Sequence, residues 1–267
     1  MSGSKIMEMN DSWMVRPILQ TKSYLIDELR YFLLTQRGMK ALKSFSDIFE
    51  GQVDRIGDLG ESRKHFQFFI DRFKIEASMA DDVINQDYSI PRQHHCISLW
   101  TAIETCVEEV VVSHLKNIPE ANVMLSGSLK GFTIKEASIY NNEANCRRSY
   151  KDIEKHLSRK NNLNIVEKYE TVLRIFNMYP EIKLEHANGI VALHCIRNLL
   201  LHKGGLVDDV FKRKMNKVGF KVSSNKKYVI NSETHDIIFR SCAAFYDLIL
   251  QKALNNAASA MGGSIET

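Results

Sequence analysis

Along most of the chain, apolar residues return every third or fourth position, the interval that places them on one face of an α-helix. Between residues 12 and 50, Leu25, Leu29, Phe32 and Leu33 share such a face, with Pro17 near the start and Gly38 set to interrupt the helix. The stretch GQVDRIGDLGES at 51–62 predicts a loop. A second helix follows over 63–84, with Phe66, Phe69, Ile70 and Phe73 on one side and Phe68 off that stripe. NQDYSIPR then has turn chemistry ending at Pro91, and a boundary placed there leaves residues 1–90 as an N-terminal helical extension.

The main helical domain spans residues 91–255. Its first helix, over 96–117, carries Glu104, Glu108 and Glu109 within a broad apolar face and stops ahead of Pro119. From 120 to 145 the pattern weakens and the chain reads as irregular. Two further helices follow over 146–160 and 163–179, parted by Asn161 and Asn162 and ended by Pro180. IVALHCIRNLLLHKGG at 190–205 is another helix, closed by its glycine pair. GFKVSSNKKYVI then alternates apolar and polar residues around Ser-Ser-Asn-Lys, the one hairpin signal in the chain. Ser232 is placed to cap a last helix over 234–256, and the small, polar residues 256–267 predict a flexible tail. The expected fold is all-α, a helical bundle with one short β-hairpin near its C-terminus.

Composition narrows the class without naming the chemistry. With 44% hydrophobic and 25% charged residues among 267, the chain has ordinary globular content, so disordered and fibrous classes are set aside. A net charge of +4 permits a phosphate-bearing partner but does not demand one. Five cysteines, odd in number and without a Cys-x-x-Cys pair, fit a reducing cytoplasm. Lys5, Glu8, Asp11 and Arg16 break up the first residues, so a secretory leader is not expected, and no apolar run approaches the roughly 20 residues that span a bilayer. The expectation is a soluble, cytoplasmic protein with no membrane partner. Phosphate-loop, dinucleotide-binding, nucleophile-elbow and His-Glu-x-x-His motifs are absent, which argues against an ATPase, a Rossmann enzyme, a serine hydrolase and a zinc protease. His94 and His95 beside Cys96 point in different directions on a helix and have no spaced third ligand, so no metal or other cofactor is expected.

The helix at 190–205 carries the chemistry. Ala192, Leu193, Ile196, Leu199 and Leu200 cluster on one side and predict its core face. The other side holds His194, Arg197, Asn198 and His202, mixed with Val191 and Leu201; His194, Asn198 and His202 follow at intervals of four and stack in one line. A solvated face is normally lysine and glutamate, so this mixture predicts a surface sealed against a partner, most economically a second copy across a two-fold axis. Guanidinium suits phosphate oxygens, imidazole takes and returns protons, and the negative end of the helix dipole at His202 suits an acid. Two histidines and two arginines converging on one cleft would support attack of an RNA 2′-hydroxyl on the adjacent phosphorus without a metal.

The order in RNLLLHKGG, with Arg197 and Asn198 followed by three leucines, His202 and a glycine pair, resembles the Arg-x(4-6)-His motif of the HEPN superfamily. The resemblance covers roughly residue 91 onward, including LWTAIETCVEEV and the closing FYDLIL. It implies a dimeric helical bundle and, as in many members, metal-independent RNA cleavage, with Arg197 and His202 catalytic, Asn198 orienting them, and Glu104 or Glu108 steadying the arginine. His194 is a supporting or interface residue. Lys203 and the basic run with Lys212, Arg213 and Lys214 read equally as RNA-phosphate guides or as a solvated loop. The implied setting is a toxin or antiphage defence effector restrained by a regulatory or antitoxin protein. Some toxin members carry a tyrosine two residues after the histidine, where an antitoxin attaches nucleotides; Gly204 stands there and argues against that route. The alternative is a non-catalytic HEPN dimer serving as an adaptor, sensor or RNA-binding module. Residues 1–90 match nothing in the family and read as a family-specific lid, a partner-binding arm or part of the bundle.

Overall fold

The computed structural model describes residues 12–56, 60, 62–134, 140–159, 163–222 and 226–260. These form nine helices and no strand: α1 (Arg16–Ile56), α2 (Ser62–Asn85), α3 (Ser89–Asn117), α4 (Ala121–Ser128), α5 (Glu143–Ser158), α6 (Ile165–Ile175), α7 (Leu184–Lys203), α8 (Asp209–Lys217) and α9 (Ser232–Ala260). The all-α expectation holds.

The N-terminal helix departs from the expected pattern. It runs 41 residues without a break, through Gly38 and on into the stretch expected to be a loop. Gly38 faces open space, so it lowers helix stability without forcing a kink. The extension to Ile56 follows from packing against α2: Phe45 and Phe49 of α1 meet Phe73 edge-on, with ring centroids 5.1 and 5.2 Å apart, and Val53 is buried. Ion pairs Lys43–Asp81 and Lys74–Glu50, each 2.6 Å, flank that seam. The start of α1 belongs elsewhere. Val15, Ile18 and Leu25 lie in one continuous core with α3, α5, α6, α7 and α9.

At the centre is α3, in which Cys96, Leu99, Ile103, Cys106, Val107, Val110 and Val111 are buried around most of the helix circumference. It begins at Ser89, before the expected turn ends, because Pro91 sits in the first turn, where its missing N–H costs nothing. Asp87 and Tyr88 turn the chain in with positive φ, and the buried Arg92 guanidinium binds the Asp87 carboxylate and the Ile230 carbonyl. Against α3 pack α5, through Cys146, Tyr150 and Ile153, and α9, whose Tyr246 hydroxyl donates to the Ala102 carbonyl at 2.6 Å.

Several local expectations are corrected. The irregular region contains α4, held by buried Ala121 and Leu125. The basic run at 211–217 lies in a helix, α8, because Phe211 and Met215, four apart, bury one face while the cations keep to the other. The expected hairpin turn at 223–225 lies outside the described residues, and its flanks form no strand. Residues 226–228 instead turn back to the end of α7, through a single antiparallel bridge between Leu206 and Lys227 and a Tyr228 N–H to Gly205 carbonyl bond of 2.9 Å. Asn231, not Ser232, caps α9 by accepting the Thr234 N–H at 2.9 Å. The tail expected from 256 is helical as far as Ala260, with Ala257 and Ala258 buried; residues 261–267 lie outside the described residues.

Among the described residues, no helix is long and apolar enough to cross a membrane. All five cysteines are buried, and burial pushes the thiols of Cys96 and Cys106 up to about 12.

Candidate active site

Helix α7 docks through Ile190, Ala192, Leu193, Ile196 and Leu199, which are all buried, so four of the five residues expected on its core face lie there, while the fifth, Leu200, is half-buried. Close approach of α9 is made possible by Gly189, whose missing side chain would collide with Ser241. The helix ends where its glycines allow. Gly204 and Gly205 take φ of 56° and 84°, and the Gly205 N–H returns to the Leu199 carbonyl at 3.1 Å.

The polar side of α7 is ordered by one amide. Arg197 Nη1 donates to Asn198 Oδ1 at 3.1 Å, while Asn198 Nδ2 lies 2.9 Å from His194 Nε2. An amide nitrogen only donates, so His194 Nε2 is the acceptor and the ring proton sits on Nδ1. That Nδ1 is buried and finds no hydrogen-bond partner among the described residues. The ring packs on Trp100 with centroids 4.6 Å apart. Burial lowers the His194 pKa to about 4, helped by the charges of Lys214, Arg197 and Lys168. His194 is therefore neutral near pH 7 and acts as a fixed acceptor for Asn198.

Arg197 and Asn198 are half-buried; His202, one turn further on, is exposed beside Leu201, which is 50% exposed. A cavity of about 170 Å3 opens between the end of α7 and α8, walled by Asn198, His202, Val210, Phe211 and Lys214. Lys203 is engaged in an ion pair with Asp208, which also caps α8 by accepting the Phe211 N–H at 2.8 Å. The lysine beside it holds the Asp208 carboxyl below its ordinary range. Arg213 is exposed and reaches back to the Asp209 carbonyl, and Lys212 is half-buried. Of the expected RNA guides, Lys203 and Lys214 line the cavity that Asn198 and His202 share, and Lys203 is held there by Asp208.

The two candidate glutamates separate. Glu108 accepts from Arg147 at 3.3 Å, and the same guanidinium binds Glu109 at 2.6 Å and Glu143 at 3.1 Å, so Glu108 is held by α5 and does not serve Arg197. Glu104 instead lines a second cavity of about 190 Å3 with Trp100, Tyr150, Glu154, Tyr169 and His194. Burial, then the Glu104 charge, raises the Glu154 carboxyl. Burial and then Glu104 also raise the Tyr169 phenol, against the opposing charge of Arg197. Sequence reasoning missed Trp100, Tyr150, Glu154 and Tyr169. The available signal was the repeated aromatic-to-carboxylate step of four residues, Trp100 to Glu104 and Tyr150 to Glu154.

Among the described residues, no three His, Cys, Asp or Glu side chains gather as a metal site. Comparison of the chain with protein-family models, with curated proteins and with solved structures finds no match.

Proposed function

We propose that the protein is a metal-independent endoribonuclease of HEPN type, acting in the cytoplasm as a toxin or antiphage defence effector, with its site shared between two copies joined along α7. The observation that carries this reading is the His194–Asn198–Arg197 hydrogen-bond chain, which anchors a half-exposed guanidinium one turn from the exposed His202 imidazole. One copy of His202 takes the proton from an RNA 2′-hydroxyl as its oxygen bonds to phosphorus. The other copy gives a proton to the departing 5′-oxygen as that P–O bond breaks, leaving a 2′,3′-cyclic phosphate and a 5′-hydroxyl. The Arg197 pair stabilises the charge on the phosphorane oxygens. Lys214 draws the strand to the mouth.

The test is incubation of the purified protein with single-stranded RNA in excess EDTA. Cleavage with cyclic phosphate ends is expected, and Arg197→Ala or His202→Ala each lowers the rate by about 10²-fold or more while circular dichroism and the dimer stay unchanged. Cleavage that survives both substitutions, or a monomer at micromolar concentration, refutes the shared site.

A non-catalytic adaptor dimer is the second reading. It is favoured by large apolar side chains exposed on the α1–α2 arm, Ile48, Phe68, Ile75 and Met79, which suit a regulatory or antitoxin protein. RNA or protein binding with no cutting under any condition supports it.

A further inference from the structure

Helix α1 turns one side to the bundle through Ile18, Leu25 and Phe32 and another to α2 through Phe49 and Val53. On its remaining side Tyr31, Leu34, Gly38, Ala41, Phe45 and Ile48 follow at alternating steps of three and four, and all six are exposed. That spacing is the repeat of the a and d positions of a coiled coil, which keeps one stripe turned towards a second helix as the two wind together. A solvated helix face carries lysine and glutamate. This stripe is uncharged from Tyr31 to Ile48, and its large side chains stand out from the surface, with Tyr31 68%, Leu34 64% and Ile48 59% exposed.

The order of residues along the stripe selects the partner. Asp27, Leu34, Ala41, Ile48 and Arg55 stand seven residues apart on one line of it, all exposed, with an acid at one end, a base at the other and a small residue in the middle. Gly38, beside Ala41, faces open space, so two backbones can approach closely at that point. Parallel pairing of two copies would set Asp27 on Asp27 and Arg55 on Arg55, like charges in contact. Antiparallel pairing about a two-fold axis near Ala41 sets Asp27 of each copy against Arg55 of the other, Leu34 against Ile48, and Ala41 against itself. The Asp27 carboxylate binds Arg30 of its own helix at 3.0 Å and has a second oxygen for a guanidinium across the axis. The line is complementary to its own reverse, which is the property that a second copy of this chain needs and an unlike helix does not.

We propose that α1 is a self-association surface, on which two copies of the chain pair antiparallel along the stripe from Tyr31 to Ile48 and cross at Gly38 and Ala41. Phe68, Ile75 and Met79 of α2 take no part in it. No residue of α7 lies in the stripe, so this contact is separate from the shared ribonuclease site, and Arg197→Ala is expected to leave it unchanged.

Single cysteines on the full chain, joined by a short bismaleimide, read the pairing, with the buried native thiols of the wild-type chain as background. Ala41→Cys is expected to cross-link to itself, and Leu34→Cys to cross-link to Ile48→Cys when the two variants are mixed. Leu34→Cys alone gives no product, because antiparallel pairing holds its two copies about 20 Å apart along the helix axis. Asp27→Arg lowers the Ala41→Cys yield by about threefold or more, and adding Arg55→Asp to that variant restores it. Leu34→Lys with Ile48→Lys, both on exposed positions, lowers the yield by about tenfold or more with circular dichroism unchanged. Self-linking of Leu34→Cys without the mixed product, no product from Ala41→Cys at about 100 μM chain, or a yield that the lysine pair leaves unchanged overturns the proposal. An unlike protein as the true occupant would show as the second of these results, since the purified chain would then leave its stripe uncovered.

Discussion

Asn198 uses both halves of its amide, accepting from Arg197 and donating to His194. An aspartate there would set an oxygen against the bare Nε2 of His194, so the choice of asparagine follows from a neutral imidazole beneath it. Spacing alone lined up His194 with Asn198, because residues four apart on a helix must meet; it did not reveal that the amide also turns to its neighbour Arg197. Gly189 was invisible to such reasoning. A Cβ there would lie 2.7 Å from the Ser241 Cβ and 2.1 Å from its Oγ, and only the packing of α9 creates that conflict. Gly189→Ala is therefore expected to destabilise the fold by about 1–3 kcal/mol, read as a lower urea midpoint. Ser241→Gly in the same chain should return part of the loss, and a purely additive double-mutant cycle would contradict a direct clash.

Helix identity was largely legible, helix extent less so. Helices α2, α3, α5, α6, α7 and α9 follow from three-and-four periodicity, and the Asn164–Glu167 capping box that opens α6 is a local signal, with the Asn164 N–H donating to Glu167 at 2.6 Å. Gly38 misled because glycine weakens a helix only by a propensity that tertiary contacts override, and the aromatic seam with α2 outweighs it. Gly38→Ala, helical and facing open space, is expected to raise stability by up to about 1 kcal/mol, measured as an increase in urea midpoint; a decrease would mean the position needs glycine for a reason other than propensity. Helix α8 went unseen because its apolar face is only Phe211 and Met215, too short a stripe to register among five charged residues until the end of α7 covers it.

The assembled bundle buries four imidazoles in neutral form. Burial lowers His95 to about 3 and His114, His194 and His235 to about 4, from 6.5 in an unfolded chain. Between those values the unfolded chain binds protons that the folded chain refuses, so these groups cost nothing above pH 6.5 and destabilise progressively as pH falls towards 4. The urea midpoint should be level through neutral pH and decline from about 6.5 downward, ahead of any loss from Asp87 and Glu143, whose lowered carboxyls matter only below their ordinary values of 3.8 and 4.5. A midpoint that stays level through pH 5 would show that these rings protonate freely in the folded state. Residue order and helical geometry together dictated the all-α class, the core face of α7 and the alignment of His194, Asn198 and His202, since neighbours within one helix are set by its pitch. Packing alone assigned Glu108 to Arg147, gathered Glu104 with Glu154 and Tyr169, and brought His95 to His235 from 140 residues away. Contacts between helices depend on how each is rotated and crossed, and the whole core settles those angles at once.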